Sequence, residues 1–174
     1  MTRAVLAAAL AITLGACASA PPRSYSPPNP AAGPDARASP GTAFVTRPLP
    51  GPRGRMVDTA ASMLGQPYRF GGAAPGGFDC SGLVVYAAAG VGIHVPRTAH
   101  QQLEFGRLIA RGEVRAGDLV FMHLAHKELH VGIAIDAERF IHAPSTGGRV
   151  RIDSLAAPPY AMGYLSARRI ISAE

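Results

Sequence analysis

The chain has 174 residues, 48% apolar and 16% charged, with 20 Gly and 16 Pro, which is room for one domain plus an extension and excludes a multidomain enzyme. Ten of the 16 prolines fall between Pro21 and Pro52, so low complexity is confined to one stretch, and neither a collagen-like repeat nor a wholly disordered chain fits. The net charge of +6 is equally local: residues 18–55 carry five Arg against Asp35 alone, whereas residues 56–174 hold 11 basic and 10 acidic side chains, so the clustered phosphate contacts of a nucleic-acid reader are not expected on the folded part.

Residues 1–20 read MTRAVLAAALAITLGACASA. A single Arg, the apolar run Ala4–Leu14 and then small residues form the layout of a secretory signal. Those eleven residues, all apolar but Thr13, rise only ~16 Å as a helix, too little for a hydrocarbon core of roughly 30 Å. Leu14-Gly15-Ala16-Cys17 resembles the lipobox of bacterial lipoproteins, which implies a signal peptide over 1–16 and acylation of Cys17. The competing expectation is ordinary cleavage after Ala18 or Ala20, which leaves a soluble protein. Ala18 following Cys17, where Asp would suggest inner-membrane retention, favours the outer membrane facing the periplasm, again by lipoprotein resemblance. With one of the two Cys in the leader, the mature domain has a single thiol and no disulfide framework.

Residues 17–53 are rich in Pro, Ala, Ser, Gly and Arg and cannot bury enough apolar area to offset their ordering entropy, so an extended tether is expected. The folded unit is expected over 54–174. RMVDTAASML (55–64) puts Met56, Ala60, Met63 and Leu64 on one helical face, stopped by Gly65. A Gly-rich loop, Gly71 to Gly77, leads to Asp79-Cys80-Ser81-Gly82 and the apolar helix LVVYAAAG, with Gly90 as its stop. Thr98 is a good N-cap for a third helix reaching about Phe105. Beyond it the period changes: Asp118–Met122, His130–Ile135, Arg139–His142, Arg149–Ile152 and Leu165–Ile171 are short alternating or β-branched runs. Helices first and then a mainly antiparallel sheet is an α+β layout.

Cys80 stands at a helix start, where exposed amides and the helix dipole favour a negatively charged sulfur, and the same amides can receive a developing oxyanion. The bland alternative is a small buried hydrophobe. His130 opens HVGIAI and His142 ends the next strand. Neighbouring antiparallel strands would place both imidazoles on one face, one to take the thiol proton and one to orient the first.

YRFGG (68–72), FDCSGLV (78–84), PRTAHQQ (96–102), GDLVF (117–121), HVGIAI and FIHAPSTGGRV (140–150) resemble, in that order, the NlpC family of papain-like cell-wall peptidases. The resemblance implies Cys80 as nucleophile, His130 as its base and His142 as the residue orienting that base. It also implies that Tyr68, Asp79 and Ser81 line the substrate pocket. The implied activity is hydrolysis of a peptidoglycan stem-peptide or cross-link amide, with no cofactor. A thiol amidase or acyltransferase, or a catalytically silent wall-binding lipoprotein, are the alternatives. His142 is a neutral group and should stabilise an imidazolium on His130 less than a carboxylate would. Met122 departs from the family, which often has an aromatic there. His123, His126 and His130 show metal-ligand spacing, but no carboxylate motif or Cys cluster accompanies them, so no metal is expected. His94 and His100 read as surface residues.

Overall fold

The computed structural model describes residues 50–125, 127–145 and 148–172. The expected leader, Cys17, most of the tether and His126 lie outside the described residues. The chain enters its first helix through prolines. Pro50 is extended and Pro52 occupies the first turn, where the absent N–H has no partner to lose. Helix α1 therefore runs Gly51–Ala61, starting and ending earlier than the expected 55–64 and taking in residues that composition assigned to the tether. Arg53 accounts for the early start. Its Nε and Nη1 donate to the carbonyls of Ala116 (2.9 Å) and Ile171 (3.3 Å), and its Nη2 meets the buried Asp118 at 3.0 Å. Arg169 binds the same carboxylate at 2.8 Å.

A two-residue hairpin follows, β1 (Ala73–Ala74) with β2 (Gly77–Phe78), then α2 (Cys80–Ala89) and α3 (Ala99–Leu103). Next come β3 (Arg107–Ile109), a 3₁₀ turn at Arg111–Glu113, β4 (Leu119–Leu124), β5 (Lys127–Ala134), β6 (Arg139–His142) and β7 (Arg151–Ser154). The chain closes with α4 (Pro158–Gly163) and β8 (Tyr164–Arg169). The six longer strands form one antiparallel sheet in the order β3-β8-β4-β5-β6-β7. This is the expected α+β architecture. The hairpin, β3 and α4 were not expected, and the strand anticipated at 149–152 sits two residues later.

Alternation along the strands builds two cores. Leu119 and Phe121 of β4 and Val131 and Ile133 of β5 pack with Met56, Val57, Leu83, Val84 and Ala87 from α1 and α2. Val120, Met122, Ala134 and Phe140 point the other way and pack with Leu155, Tyr160 and Ala167. Met122, noted above as a departure from an aromatic, is fully buried in this second core.

Candidate active site

Asp79 fixes where α2 begins. Its backbone is extended (φ −91°, ψ 175°) and its Oδ1 accepts from the Gly82 N–H at 2.6 Å, the N-cap bond that satisfies one orphan donor of the helix. Cys80 is thereby the first helical residue, 4% exposed. Gly82 is demanded by the loop that crosses this turn: a Cβ there would lie 2.0 Å from the Gly72 carbonyl oxygen, the same oxygen that accepts from Asp79 N–H at 3.0 Å.

Arg97, from the PRTAHQQ segment, locks the turn from outside. Its Nη1 donates to Asp79 Oδ1 (3.0 Å) and Ser81 Oγ (3.1 Å), and its Nη2 to Asp79 Oδ2 (2.7 Å). Burial alone would raise the Asp79 carboxyl. The Arg97 hydrogen bonds and charge, together with the Gly82 and Gly71 N–H groups, outweigh it and hold Asp79 below the usual carboxylate range. Arg97 is shifted upward, first by its bond to Asp79 against the cost of burial, then by the charges of Asp79 and Cys80. Gln102, fully buried, donates from Nε2 to the carbonyls of Pro96 (2.7 Å) and Ser81 (3.1 Å), pinning the Arg97 loop to the first turn of α2. Tyr68, Asp79, Cys80, Ser81, Arg97 and Leu129 line one cleft of about 390 Å³, with Phe70, 90% exposed, at its edge.

The histidines come from the sheet. His130 and Gly132 share a face of β5 by alternation, and extending the register of Ile133↔Ile141 and Ala134↔Phe140 sets Gly132 across from His142. Both imidazoles therefore fall on one face, as expected, and His130 Nε2 lies 2.7 Å from His142 Nδ1, both side chains fully buried. The Gly of the HVG segment makes this approach possible: a Cβ at 132 would stand 2.5 Å from Phe140 Cδ2 and 3.2 Å from His142 Cβ. α2 packs on β5, and Leu129, the neighbour of His130, lines the cleft that holds Cys80.

Behind His142 stands a group that sequence reading did not pick out. Asp153 of β7 accepts at Oδ2 from His142 Nε2 (2.8 Å), Tyr160 Oη (2.5 Å) and Arg151 Nε (2.8 Å). Arg151 Nη2 also reaches Tyr160 Oη at 3.2 Å. Burial would raise the Asp153 carboxyl, but the bonds from His142, Tyr160 and Arg151 prevail and place it far below the usual carboxylate range. The Tyr160 hydroxyl is pushed up, by burial first and then by its bond to Asp153, so it stays protonated and donates. A second hollow of about 320 Å³ has His142, Arg151 and Tyr160 in its wall. Among the described residues no group of three or more His, Cys, Asp or Glu is arranged to hold a metal ion. His123 is exposed.

The structure thus gathers Tyr68, Asp79, Cys80 and Ser81 into one cleft and joins His130 to His142, and it adds Arg97, Gln102, Asp153, Tyr160 and Arg151. Arg97 and Gln102 lie in a segment the resemblance already used. Asp153 carried only the signal of alternation in RIDS, which sets Arg151 and Asp153 on one face.

An α+β domain with a thiol at a capped helix start, packed on an antiparallel sheet that carries paired imidazoles, belongs to the papain-like class. Residues 65–169 match the NlpC/P60 family, and the chain belongs to it. It is 41% identical over 117 residues to the probable endopeptidase YafL of Escherichia coli K12, covering 64% of this chain and 47% of that one. It is 41% identical over 115 residues to murein DD-endopeptidase MepH of the same organism, covering 63% and 42%. Against murein DD-endopeptidase MepS/murein LD-carboxypeptidase the identity is 36% over 121 residues, covering 69% and 64%. The matched region therefore spans less than half of YafL and MepH. Among solved structures, an NlpC/P60 family protein from Bacillus cereus superposes with a TM-score of 0.65 at 31% identity, covering 71% of this chain and 41% of that one. The peptidoglycan hydrolase RipB of Mycobacterium tuberculosis gives 0.61 at 29%, covering 70% and 66%.

Proposed function

We propose that this chain is a cysteine peptidase that hydrolyses an amide bond in the stem peptide or cross-link of peptidoglycan. The observation that carries the reading is the 2.7 Å contact between His130 of β5 and His142 of β6, with β5 packed against the helix that Cys80 opens. The names of MepH, MepS and RipB, which specify murein or peptidoglycan, support the substrate class.

In this mechanism the Cys80 thiol passes its proton to His130, and the sulfur attacks the carbonyl carbon of the amide. The oxyanion that forms is received by backbone N–H groups at the start of α2. His130, now an imidazolium, protonates the departing amine as the C–N bond breaks, leaving an acyl thioester on Cys80. A water then gives its proton to His130 and its oxygen to the acyl carbon. The carboxylic acid leaves and the thiol is restored. Tyr68, Asp79 and Ser81 form the pocket wall against the peptide, with Asp79 and Ser81 held in place by Arg97.

The same reading has the chain acylated at Cys17 and held at the outer membrane, the domain facing the periplasm on its proline-rich tether. The leader residues 1–17 support it. The test of the activity is digestion of purified muropeptides by the full chain, with products identified by mass spectrometry. New free carboxyl and amino termini, absent with Cys80→Ala, are expected. Intact muropeptides, or transfer of the acyl group to an amine instead of water, would overturn the hydrolase reading.

A further inference from the structure

We propose that Asp153, clamped by Tyr160 and Arg151, is a positioning residue that sets the tautomers of both imidazoles. It thereby presents His130 to Cys80 with Nδ1 as the proton-accepting atom. The inference rests on the thiol-hydrolase reading of Cys80 and His130, and deepens it by adding a fourth member to the site.

An ionised carboxylate only accepts hydrogen bonds. Asp153 Oδ2 lies 2.8 Å from His142 Nε2, so that nitrogen must carry hydrogen. A neutral His142 then has a bare Nδ1, and the atom 2.7 Å from it is His130 Nε2. For that contact to be a hydrogen bond, His130 must donate from Nε2. Its Nδ1 is then the nitrogen with the lone pair, the one able to take the thiol proton. Once Nδ1 is protonated, the bridging bond keeps the same direction, so the relay needs no ring flip between the two charge states. The positive charge on His130 also gains a partner two rings away. Asp153 supplies what a neutral His142 alone lacks.

Two features separate this arrangement from incidental packing. Three donors converge on one carboxylate oxygen, which keeps Asp153 ionised wherever an imidazole titrates. The rings are held in orientation from several sides: Phe140 and Tyr160 stand 4.7 and 5.4 Å from His142 by centroid, and His130 is edge-on to it at 85°. The charged and titratable groups that meet the pair are Asp153 on β7, with Arg151 beside it, and Tyr160 on α4; α2, which Cys80 opens, packs on the strand of His130.

The experiment uses the full chain with Cys17→Ser, which leaves Cys80 as its single thiol. The ¹⁵N resonances of the imidazoles distinguish protonated from bare nitrogens. In the parent both His130 and His142 should show hydrogen on Nε2. Asp153→Ala removes the acceptor, so both rings should become tautomer mixtures. Its kcat/KM should fall by ~10- to 100-fold, the range for a partner one shell out, rather than the ~10⁴-fold of a carboxylate bonded directly to the base. Asp153→Asn keeps an oxygen where three donors converge but loses the charge. Its tautomers should hold while the alkaline limb of the rate profile, which marks loss of the His130 imidazolium, moves to lower pH.

Unchanged nitrogen signals in Asp153→Ala would overturn the proposal. So would a loss of rate that is uniform in pH with both tautomers intact, the mark of a purely structural residue. If Asp153→Ala does not fold, the limb shift in Asp153→Asn decides. The nitrogen signals and the pH dependence of Cys80 alkylation by iodoacetamide need no peptide substrate. A parent that shows the relay but leaves muropeptides uncut would therefore sink the substrate reading and not this one.

Discussion

Asp79 does two jobs that substitution can separate. As N-cap it accepts from Gly82 N–H at 2.6 Å, and as a charge it pairs with Arg97 at 2.7 and 3.0 Å. Losing an Asp cap whose partner, the Gly82 N–H, is left unsatisfied and buried at the helix start costs about 1–2 kcal/mol. The ion pair is discounted because the Arg97 side chain is 40% exposed and rehydrates when released, leaving about 0.5–1 kcal/mol. Asp79→Ala should therefore destabilise by ~1.5–3 kcal/mol, and Asp79→Asn, which still caps, by ~1 kcal/mol. At ~3–5 °C per kcal/mol for a domain of this size, melting should drop by roughly 5–15 °C and 3–5 °C respectively. The pH dependence tells the two contributions apart. Asp79 is held below its ordinary value in the folded state, so its charge contributes fully above the unfolded carboxyl range of about 4 and is lost as pH falls through the folded value. Thermal melts by circular dichroism should show the gap between parent and Asp79→Asn constant above about pH 5 and narrowing as the pH falls below about 4, because the protonated acid resembles the amide. The gap between the Asn and Ala variants should persist. An Asn gap that is constant in pH, or an Ala variant no worse than Asn, would refute this division of roles.

Gly132→Ala would drive a methyl to within 2.5 Å of the Phe140 ring; urea unfolding should show a loss of ~1–3 kcal/mol, and hydrolysis should fall as the two histidines are forced apart. His130→Ala should lower kcat by ~10²–10⁴-fold, the usual span for a general acid–base group, and His142→Ala by less, measured on muropeptides; equal activity of His130→Ala and parent would remove His130 from the mechanism. Cys17→Ser should abolish incorporation of a lipid label and membrane fractionation while leaving the melting temperature of the domain unchanged.

What could be read from the sequence was whatever is decided locally. The Asp79-Cys80 boundary, the Thr98 cap and the bounds of β6 follow from capping chemistry and alternation within a few residues, and they stand where expected. The start of α1 did not, because Pro50 and Pro52 continue the composition of the tether while satisfying the first turn of a helix. What commits them to the helix is Arg53 meeting Asp118 and the carbonyls of Ala116 and Ile171, partners more than sixty positions away. The two-residue strands of the hairpin carry too few side chains to show a period.

The candidate site divides along the same line. Cys80, His130 and His142 have residue types and flanking sequence that announce chemistry, whereas Asp153 is one acid in a short strand at the sheet edge, where charged residues are ordinary protection against pairing. Its meaning depends on register. With His142 opposite Arg151 and Phe140 opposite Asp153, the carboxylate lies diagonally across from the imidazole and within hydrogen-bond reach. A slip of one residue in β7 would turn Asp153 to the other face and Ile152 towards His142. The sequence shows that two neutral imidazoles are a weak anchor for a cation, and the register supplies the missing negative charge. The polarity of the site is therefore fixed by how β6 and β7 pair, and the hydrogen bonds of Asp153 to Arg151 on its own strand and to Tyr160 on the following helix hold the carboxylate in that position.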